Sequence, residues 1–369
     1  MSKFIKGMDI SSVKELEECG AKFYDNGVQK DIFEILKNYD VNAIRLRLWH
    51  NPYSENGEKY GAGTNDYETF VGLAKRALEK DMDVLLDFHY SDFWTDPGKQ
   101  FLPKAWSGYN DEELEKAVYD YTYSIFESLK RDGAYPTIVQ IGNELTHGFL
   151  WPNGGLNKYS QITKFVNAGI HAVRDFDKEI PIMVHLDCGG NNETCVDWFN
   201  NYFAAGGEDF QYLGLSYYPF WQGGVDRLKN NMNDLAKRYG KEIVVVELGM
   251  GWTVEDYAEY EGLGPEERKG MAATAERAAG IDYPMTKQGQ CDFLKDVLTA
   301  IKEVPDGFGA GFYYWEPAWI PVKGCGWAEK PGLEYIKDPG PGGNEWANQA
   351  LFDYDGNVLP SLEVIRDFK

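Results

Sequence analysis

No stretch of this 369-residue chain stays apolar for the ~20 residues that a membrane-spanning helix needs. Basic residues are scarce as well. Lys and Arg total 37 against 59 Asp and Glu, and the formal charge of −22 argues against nucleic acid and anionic membranes as partners. Five cysteines, Cys19, Cys188, Cys195, Cys291 and Cys325, fall without C-x-x-C spacing, so neither a zinc site nor a complete disulfide framework is indicated. Of the five histidines, His50, His89, His147, His171 and His185, no two form H-x-H or H-E-x-x-H, which counts against a metal-dependent hydrolase. No G-x-G-x-x-G follows the first apolar run and no G-x-x-x-x-G-K-[ST] occurs, so nucleotide-binding folds lose their main support. The opening MSKFIKGMDIS shows no charged n-region followed by an apolar h-region, hence no visible signal peptide. Nor does a Ser-rich or Pro-rich linker divide the chain, which reads as one domain over residues 1–369.

Aromatic residues, by contrast, are abundant. They make up 15% of the chain, with 11 Trp and 24 Tyr, more than a core alone requires. The excess suits a surface that stacks flat apolar faces such as sugar rings.

Short apolar runs restart after Gly, Pro, Asn or Asp clusters at 4–10, 41–49, 83–90, 138–145, 181–187, 212–219, 243–250 and 309–317. Amphipathic helical patterns separate them, for example at 28–39, 66–80, 111–130 and 285–303. Such alternation is the mark of parallel βαβ units. Eight of them favour an α/β fold closed as a single (β/α)8 TIM barrel over an open doubly wound sheet, with long βα loops forming an open substrate groove.

Within the runs, residues alternate between faces. Ile44, Leu46 and Leu48 suit contact with outer helices, whereas Arg45, Arg47 and Trp49 point inward; Leu85, Asp87 and His89, and Met183, His185 and Asp187, form the matching inward sets. Polar character rises toward each C-terminal end, where the active sites of such barrels lie. The convergent polar set is Asp9, Arg45, Arg47, Asp87, His89, Asn143, Glu144, His185, Asp187, Ser216, Tyr218, Glu247 and Trp315.

Two carboxylates stand out. Glu144 ends IVQIGNEL and Glu247 follows IVVV, on the fourth and seventh runs, which face each other across a closed eight-stranded barrel. Paired carboxylates perform glycoside hydrolysis: a neutral acid protonates the leaving oxygen while an ionised partner attacks the anomeric carbon. Cationic Arg45 or Arg47 would favour ionised Glu247, while Asn143 and Trp151 near Glu144 would raise its pKa. Glu144 is therefore expected to be the acid/base and Glu247 the nucleophile, with carboxyl groups about 5 to 5.5 Å apart, as retention requires. Trp315 is the candidate platform beneath the reacting sugar, with Trp94, Trp221 and Trp319 as outlying subsites.

Together GMDIS, IRLRLW, DFHYSDFWTDPGKQ, VQIGNEL, SYYPFW, VVVELG, YWEPAWIP, NQALFD and LPSL resemble glycoside hydrolase family 53, the endo-β-1,4-galactanases, nearly end to end. The resemblance implies a (β/α)8 barrel that cleaves β-1,4-galactan, the side chains of pectin, with retention and without a cofactor. It also implies Glu144 as acid/base, Glu247 as nucleophile and Asn143 at the sugar 2-hydroxyl, with Arg45, His89, Tyr218 and Trp315 around the reacting sugar. Adding the inward set, the expected substrate-binding residues are Arg45, Asp87, His89, Trp94, Asn143, His185, Tyr218, Trp315 and Trp319.

One departure concerns a structural calcium that many bacterial members hold between the seventh and eighth loops. GGNEWA precedes NQALFD, with Asn344 and Ala347 where oxygen ligands belong, and calcium needs six to eight oxygens; no metal is expected there. The acidic charge keeps the protein soluble and disfavours the anionic galacturonan backbone. A monomer is expected, acting outside the cell because polymeric galactan does not cross membranes, although no export signal is visible. Alternatives are a mannanase or cellulase using the same carboxylate pair, or a non-catalytic polysaccharide-binding protein.

Overall fold

The computed structural model describes residues 3–264 and 266–369; Met1, Ser2 and Pro265, in the opening segment and the seventh loop, lie outside the described residues. Eight parallel strands close into a barrel: β1 Ile5–Asp9, β2 Ala43–Leu48, β3 Asp83–Phe88, β4 Ile138–Ile141, β5 Ile182–Leu186, β6 Tyr212–Tyr217, β7 Glu242–Leu248 and β8 Gly309–Trp315. Each strand pairs with its neighbours in sequence, and β1 closes the ring against β8. All eight expected runs become barrel strands.

Helices follow each strand and pack outside the ring: α1 Ile32–Asn38, α2 Tyr67–Leu78, α3 Asp111–Asp132, α4 Tyr159–Phe176, α5 Asn192–Ala204, α6 Val225–Tyr239, α7 Lys287–Lys302 and α8 Ser361–Asp367. Their spacing explains their orientation. In α4, Ile162, Phe165, Val166, Ile170 and Val173 are buried, an i, i+3, i+4 stripe turned to the barrel, each side chain contributing about 1.5–3 kcal/mol by burial. Helix α3 starts at a capping box of Asn110 with Glu113 and stops at Gly133, whose φ of 72° suits a residue without Cβ.

The expected helix over 28–39 begins late. Val28–Lys30 pairs instead with Phe23–Asp25 in a hairpin, because Asn26-Gly27 take positive φ of 51° and 76°, the turn that an N-G pair favours. Asp31 then accepts hydrogen bonds from Phe33 N and Glu34 N, capping α1 at its true start.

The barrel interior has two levels. Ile5, Ala43, Leu85, Ile138, Met183, Val244, Val246, Ala310 and Tyr313 fill the lower level as one apolar cluster. Above it stand Asp9, Arg45, Arg47, Asp87, Gln140, His185 and Ser216, all buried. Alternation alone would turn Glu247 outward, since Val244 and Val246 already face in. A register shift places Leu215 beside Val245 but Ser216 beside Glu247, so Val246 is an extra, bulged residue and Glu247 reaches the interior. Where β3, β4 and β8 end, Tyr90, Glu144 and Glu316 hold left-handed φ of 49°, 51° and 47°. For residues with a Cβ this costs free energy, and such strain clusters at functional sites.

Candidate active site

A cleft of about 590 Å³ opens at the C-terminal end of the strands. Glu144 and Glu247 enter it from opposite sides, 8% and 6% exposed. One carboxylate oxygen of each and one ring nitrogen of His185 lie within 4.8 Å of one another. The two carboxylates therefore open into one space.

The surroundings of the two acids differ in kind. Glu247 Oε1 accepts from Arg45 Nη1 at 2.9 Å and its Oε2 from the Tyr218 hydroxyl at 2.9 Å. Burial raises the Glu247 pKa while the Arg45 guanidinium pulls it back. Among the described residues no cation pairs with Glu144; its Oε1 lies 2.6 Å from Ser216 Oγ. Burial first, then the charges of Glu247 and Asp187, hold its pKa well above the ordinary carboxylate range. Of this buried pair, Glu144 is pushed further toward its protonated form, because the Arg45 guanidinium is in contact with Glu247 and opposes the effect of burial there.

The expected cause of the Glu144 shift needs correction. Asn143 turns its side chain toward Arg45, His185 and the Thr95 carbonyl, and Trp151 donates to the His147 carbonyl and packs edge-on to Phe101. Desolvation and neighbouring anions do what those two residues were expected to do.

Arg45 is the hub. Besides Glu247 it binds Asp9 Oδ2 at 2.9 Å, Asp87 Oδ2 at 2.8 Å and Asn143 Oδ1 at 2.8 Å. Arg47 pairs with Asp9 and with Glu316, and so does not reach Glu247. His89 accepts at Nδ1 from Trp49 Nε1 and Thr95 N and therefore donates from Nε2 to Asp87, 3.1 Å away. With both nitrogens engaged and the ring buried, His89 has a lowered pKa and is neutral.

Of the expected substrate-binding residues, His89, Trp94, Asn143, Tyr218, Trp315 and Trp319 line the cleft. Arg45, Asp87 and His185 are 0% exposed and absent from its wall; they stand one layer below and hold the residues that do line it. Trp319 is 1% exposed, fixed by its Nε1 to the Cys325 carbonyl, so it backs Trp315 more than it presents a face. Trp221, 54% exposed, stands at the rim against Tyr218 and Trp346.

Four residues escaped sequence reasoning. Glu316 accepts from Ser12 and Arg47; it ends an apolar strand just as Glu144 and Glu247 do, and that signal was available. Gln140 Nε2 reaches Asp87, Gly142 and Asn143, and Gln100 Nε2 reaches the carbonyls of Asn143 and Glu144. Trp346 stands edge-on to Trp315 with centroids 4.7 Å apart and lies 6.2 Å from Trp221, so the three make one aromatic wall.

At both candidate metal positions, donor atoms already have protein partners. Beside Glu144 and Glu247, both His185 nitrogens are already hydrogen-bonded, to Asn143 and Ser216. Between the seventh and eighth loops, Asn344 Oδ1 accepts from Trp346 N, and Glu261, which accepts from Asn344 N, is ion-paired to buried Arg268. A guanidinium thus already pairs with Glu261, and the side-chain oxygen of Asn344 is engaged by a backbone N–H.

Residues 5–365 match the profile of a family described as Glycosyl hydrolase family 53. An endo-beta-1,4-galactanase of Bacillus subtilis (strain 168) is 37% identical, over 98% of this chain and 85% of that protein. An arabinogalactan endo-beta-1,4-galactanase of Cellvibrio japonicus (strain Ueda107) is 32% identical, over 97% and 89%. Among solved structures, a GH53 catalytic domain of Ignisphaera aggregans superposes with a TM-score of 0.89 at 37% identity, covering 98% of this chain and 95% of that one.

Proposed function

The chain belongs to glycosyl hydrolase family 53, and from that premise we propose that it is a retaining endo-β-1,4-galactanase acting on the galactan side chains of pectin, outside the cell. The observation that carries this reading is the carboxylate pair: two acids from β4 and β7 with oxygens within 4.8 Å, one beside a guanidinium and the other beside none. In this reading the protonated Glu144 gives its proton to the glycosidic oxygen as Glu247 attacks the anomeric carbon. The leaving chain departs as an alcohol and a glycosyl-enzyme remains. Glu144, now a carboxylate, takes a proton from water, whose oxygen displaces Glu247.

Arg45 and Tyr218 each hold one oxygen of Glu247 and so orient the nucleophile. Asn143 has one Nδ2 hydrogen left after the Thr95 carbonyl takes the other, and we assign it to the sugar 2-hydroxyl. Trp315 is assigned as the platform of the reacting sugar, with Trp94, Trp221 and Trp346 extending the stacking wall. The test is hydrolysis of linear β-1,4-galactan, with products sized over time and the first-formed anomer read by NMR. Mid-chain cleavage giving the β-anomer is expected. Products of inverted configuration, or faster cleavage of mannan or β-glucan than of galactan, would refute the reading.

A further inference from the structure

A chain of four side chains runs beneath the acid, and the direction of every hydrogen bond in it can be worked out. Asn143 is the fixed point. Its Nδ2 lies 2.9 Å from the Thr95 carbonyl and its Oδ1 2.8 Å from Arg45 Nη2; turning the amide over would set a donor on the guanidinium and an oxygen on a carbonyl. Oδ1 also lies 2.9 Å from His185 Nδ1, and an acceptor there requires a proton on Nδ1. Gln140 Nε2 stands 3.2 Å from the same nitrogen, but its two hydrogens have nearer acceptors in Asp87 Oδ1 at 2.7 Å and the Gly142 carbonyl at 2.9 Å.

The His185 ring is neutral. It is 0% exposed, and burial, then Arg45, then His89 depress its pKa well below the ordinary value. Protonated at Nδ1, it can only accept at Nε2. Ser216 Oγ lies 2.8 Å from Nε2 and has one hydrogen to give, so that hydrogen goes to His185. The same oxygen lies 2.6 Å from Glu144 Oε1, and with its own hydrogen spent it accepts there. Glu144 is then the donor.

We propose that His185 is a positioning residue that holds Glu144 in its acid form by claiming the hydrogen that Ser216 would otherwise give to the carboxylate, through the one-way chain Glu144 to Ser216 to His185 to Asn143. The device works by a cost on the other state. When the Glu144 O–H bond breaks and the proton goes to the glycosidic oxygen, the Ser216 hydroxyl turns to donate to Oε1, and His185 Nε2 loses its only donor. No proton passes through Ser216 or His185. The remaining groups that face Glu144 are Glu247, Asp187 and Asp96 and the Tyr218 phenol; the three acids oppose its ionisation as well, and none can supply a hydrogen bond that distinguishes the two states at Oε1.

The test uses two variants with opposite expectations. His185→Ala frees the Ser216 hydrogen for the carboxylate, so the basic limb of kcat/KM should move down by about one pH unit. Ser216→Ala removes the donor that the ionised form needs most, and the limb should move up. Shifts of the same sign, or a loss of activity with no shift, would overturn the proposal. Independently of folding in the variants, 15N NMR of the intact protein should show His185 protonated at Nδ1 and bare at Nε2 throughout about pH 5 to 8; a proton on Nε2 would overturn it. The inference rests on Glu144 being the acid. A Glu144→Ala enzyme that hydrolyses galactan normally would defeat that assignment, whereas the imidazole measurement reads the chain whatever Glu144 does.

Discussion

The two halves of the barrel mouth solve opposite electrostatic problems with equally buried residues. Around Glu247 the wall is charged: Arg45 sits among Asp9, Asp87 and Glu247, and Arg47 joins Asp9 to Glu316. Around Glu144 the contacts are neutral, a serine and an imidazole. Each acid on the first side meets a guanidinium, which favours its ionised form against burial, whereas on the second an anion would stand alone beside other anions. Burial by itself would protonate both acids. Their difference comes from the register of β2, which points Arg45 inward at the level of Asp9 and within reach of only one of the pair.

Removing Glu247, the proposed nucleophile, breaks the comparison most severely. Glu247→Ala should lose at least about 10⁴-fold in kcat and regain turnover with azide, giving a glycosyl azide of inverted configuration. Glu144→Ala should lose about 10²–10⁴-fold on galactan but little in the first step on an aryl galactoside whose leaving group needs no proton; azide should then give the retained product. Identical azide products from the two variants would show the roles misassigned. Tyr218→Phe removes one of the two donors on Glu247. A hydrogen bond to a charged group contributes about 1.5–3 kcal/mol, so kcat should fall about 10- to 100-fold while KM changes little. An unchanged kcat would mean that Arg45 orients the carboxylate unaided.

How much of this could be read in advance depended on the period of the signal. Apolar runs separated by helical stretches marked all eight strands, since burial on both faces leaves long Val, Ile and Leu runs. Period-two alternation identified Arg45, Asp87 and His185 as inward, but it carries no depth, so residues one layer below the cleft looked the same as its wall. The bulge at Val246 was invisible because it breaks that period. The late start of α1 could have been found in Asn26-Gly27, and Glu316 in its place after an apolar strand; it was masked by its aromatic neighbours in YWEP. Trp346 lay in a Gly-rich loop whose path no local rule dictates.

Trp346 sharpens the comparison from the substrate side. Its ring meets Trp315 edge-on at 4.7 Å and Tyr218 at 5.6 Å, so it joins the aromatic wall to the residue that donates to Glu247. Trp346→Ala should raise KM for long galactan about tenfold, as loss of one aromatic stacking contact of about 1–1.5 kcal/mol implies, with a smaller effect on short oligosaccharides. Equal effects on long and short substrates would place its role in supporting Trp315 and not in a separate subsite.

The smallest expected effect concerns stability and tests whether guanidinium pairing wins everywhere on the charged side. Glu316 pairs with Arg47, yet burial outweighs that pairing and raises its pKa from 4.5 to about 7. An acid with a native pKa above its unfolded one binds more protons when folded, so its contribution is fully present below about pH 4.5 and declines as pH rises to about 7. From this group the native state should lose up to about 3 kcal/mol across that window. Glu144 and Glu247 are shifted in the same direction and add to the decline. Glu316→Gln keeps one oxygen to accept from Ser12 N and Arg47 Nη2, its NH2 can donate to Ser12 Oγ, and it cannot ionise, so urea midpoints measured at pH 5 and pH 8 should differ less in the variant than in the parent. Equal differences would mean that Glu316 is ionised throughout, with Arg47 overriding burial there, and would leave Glu144 and Glu247 to account for the decline.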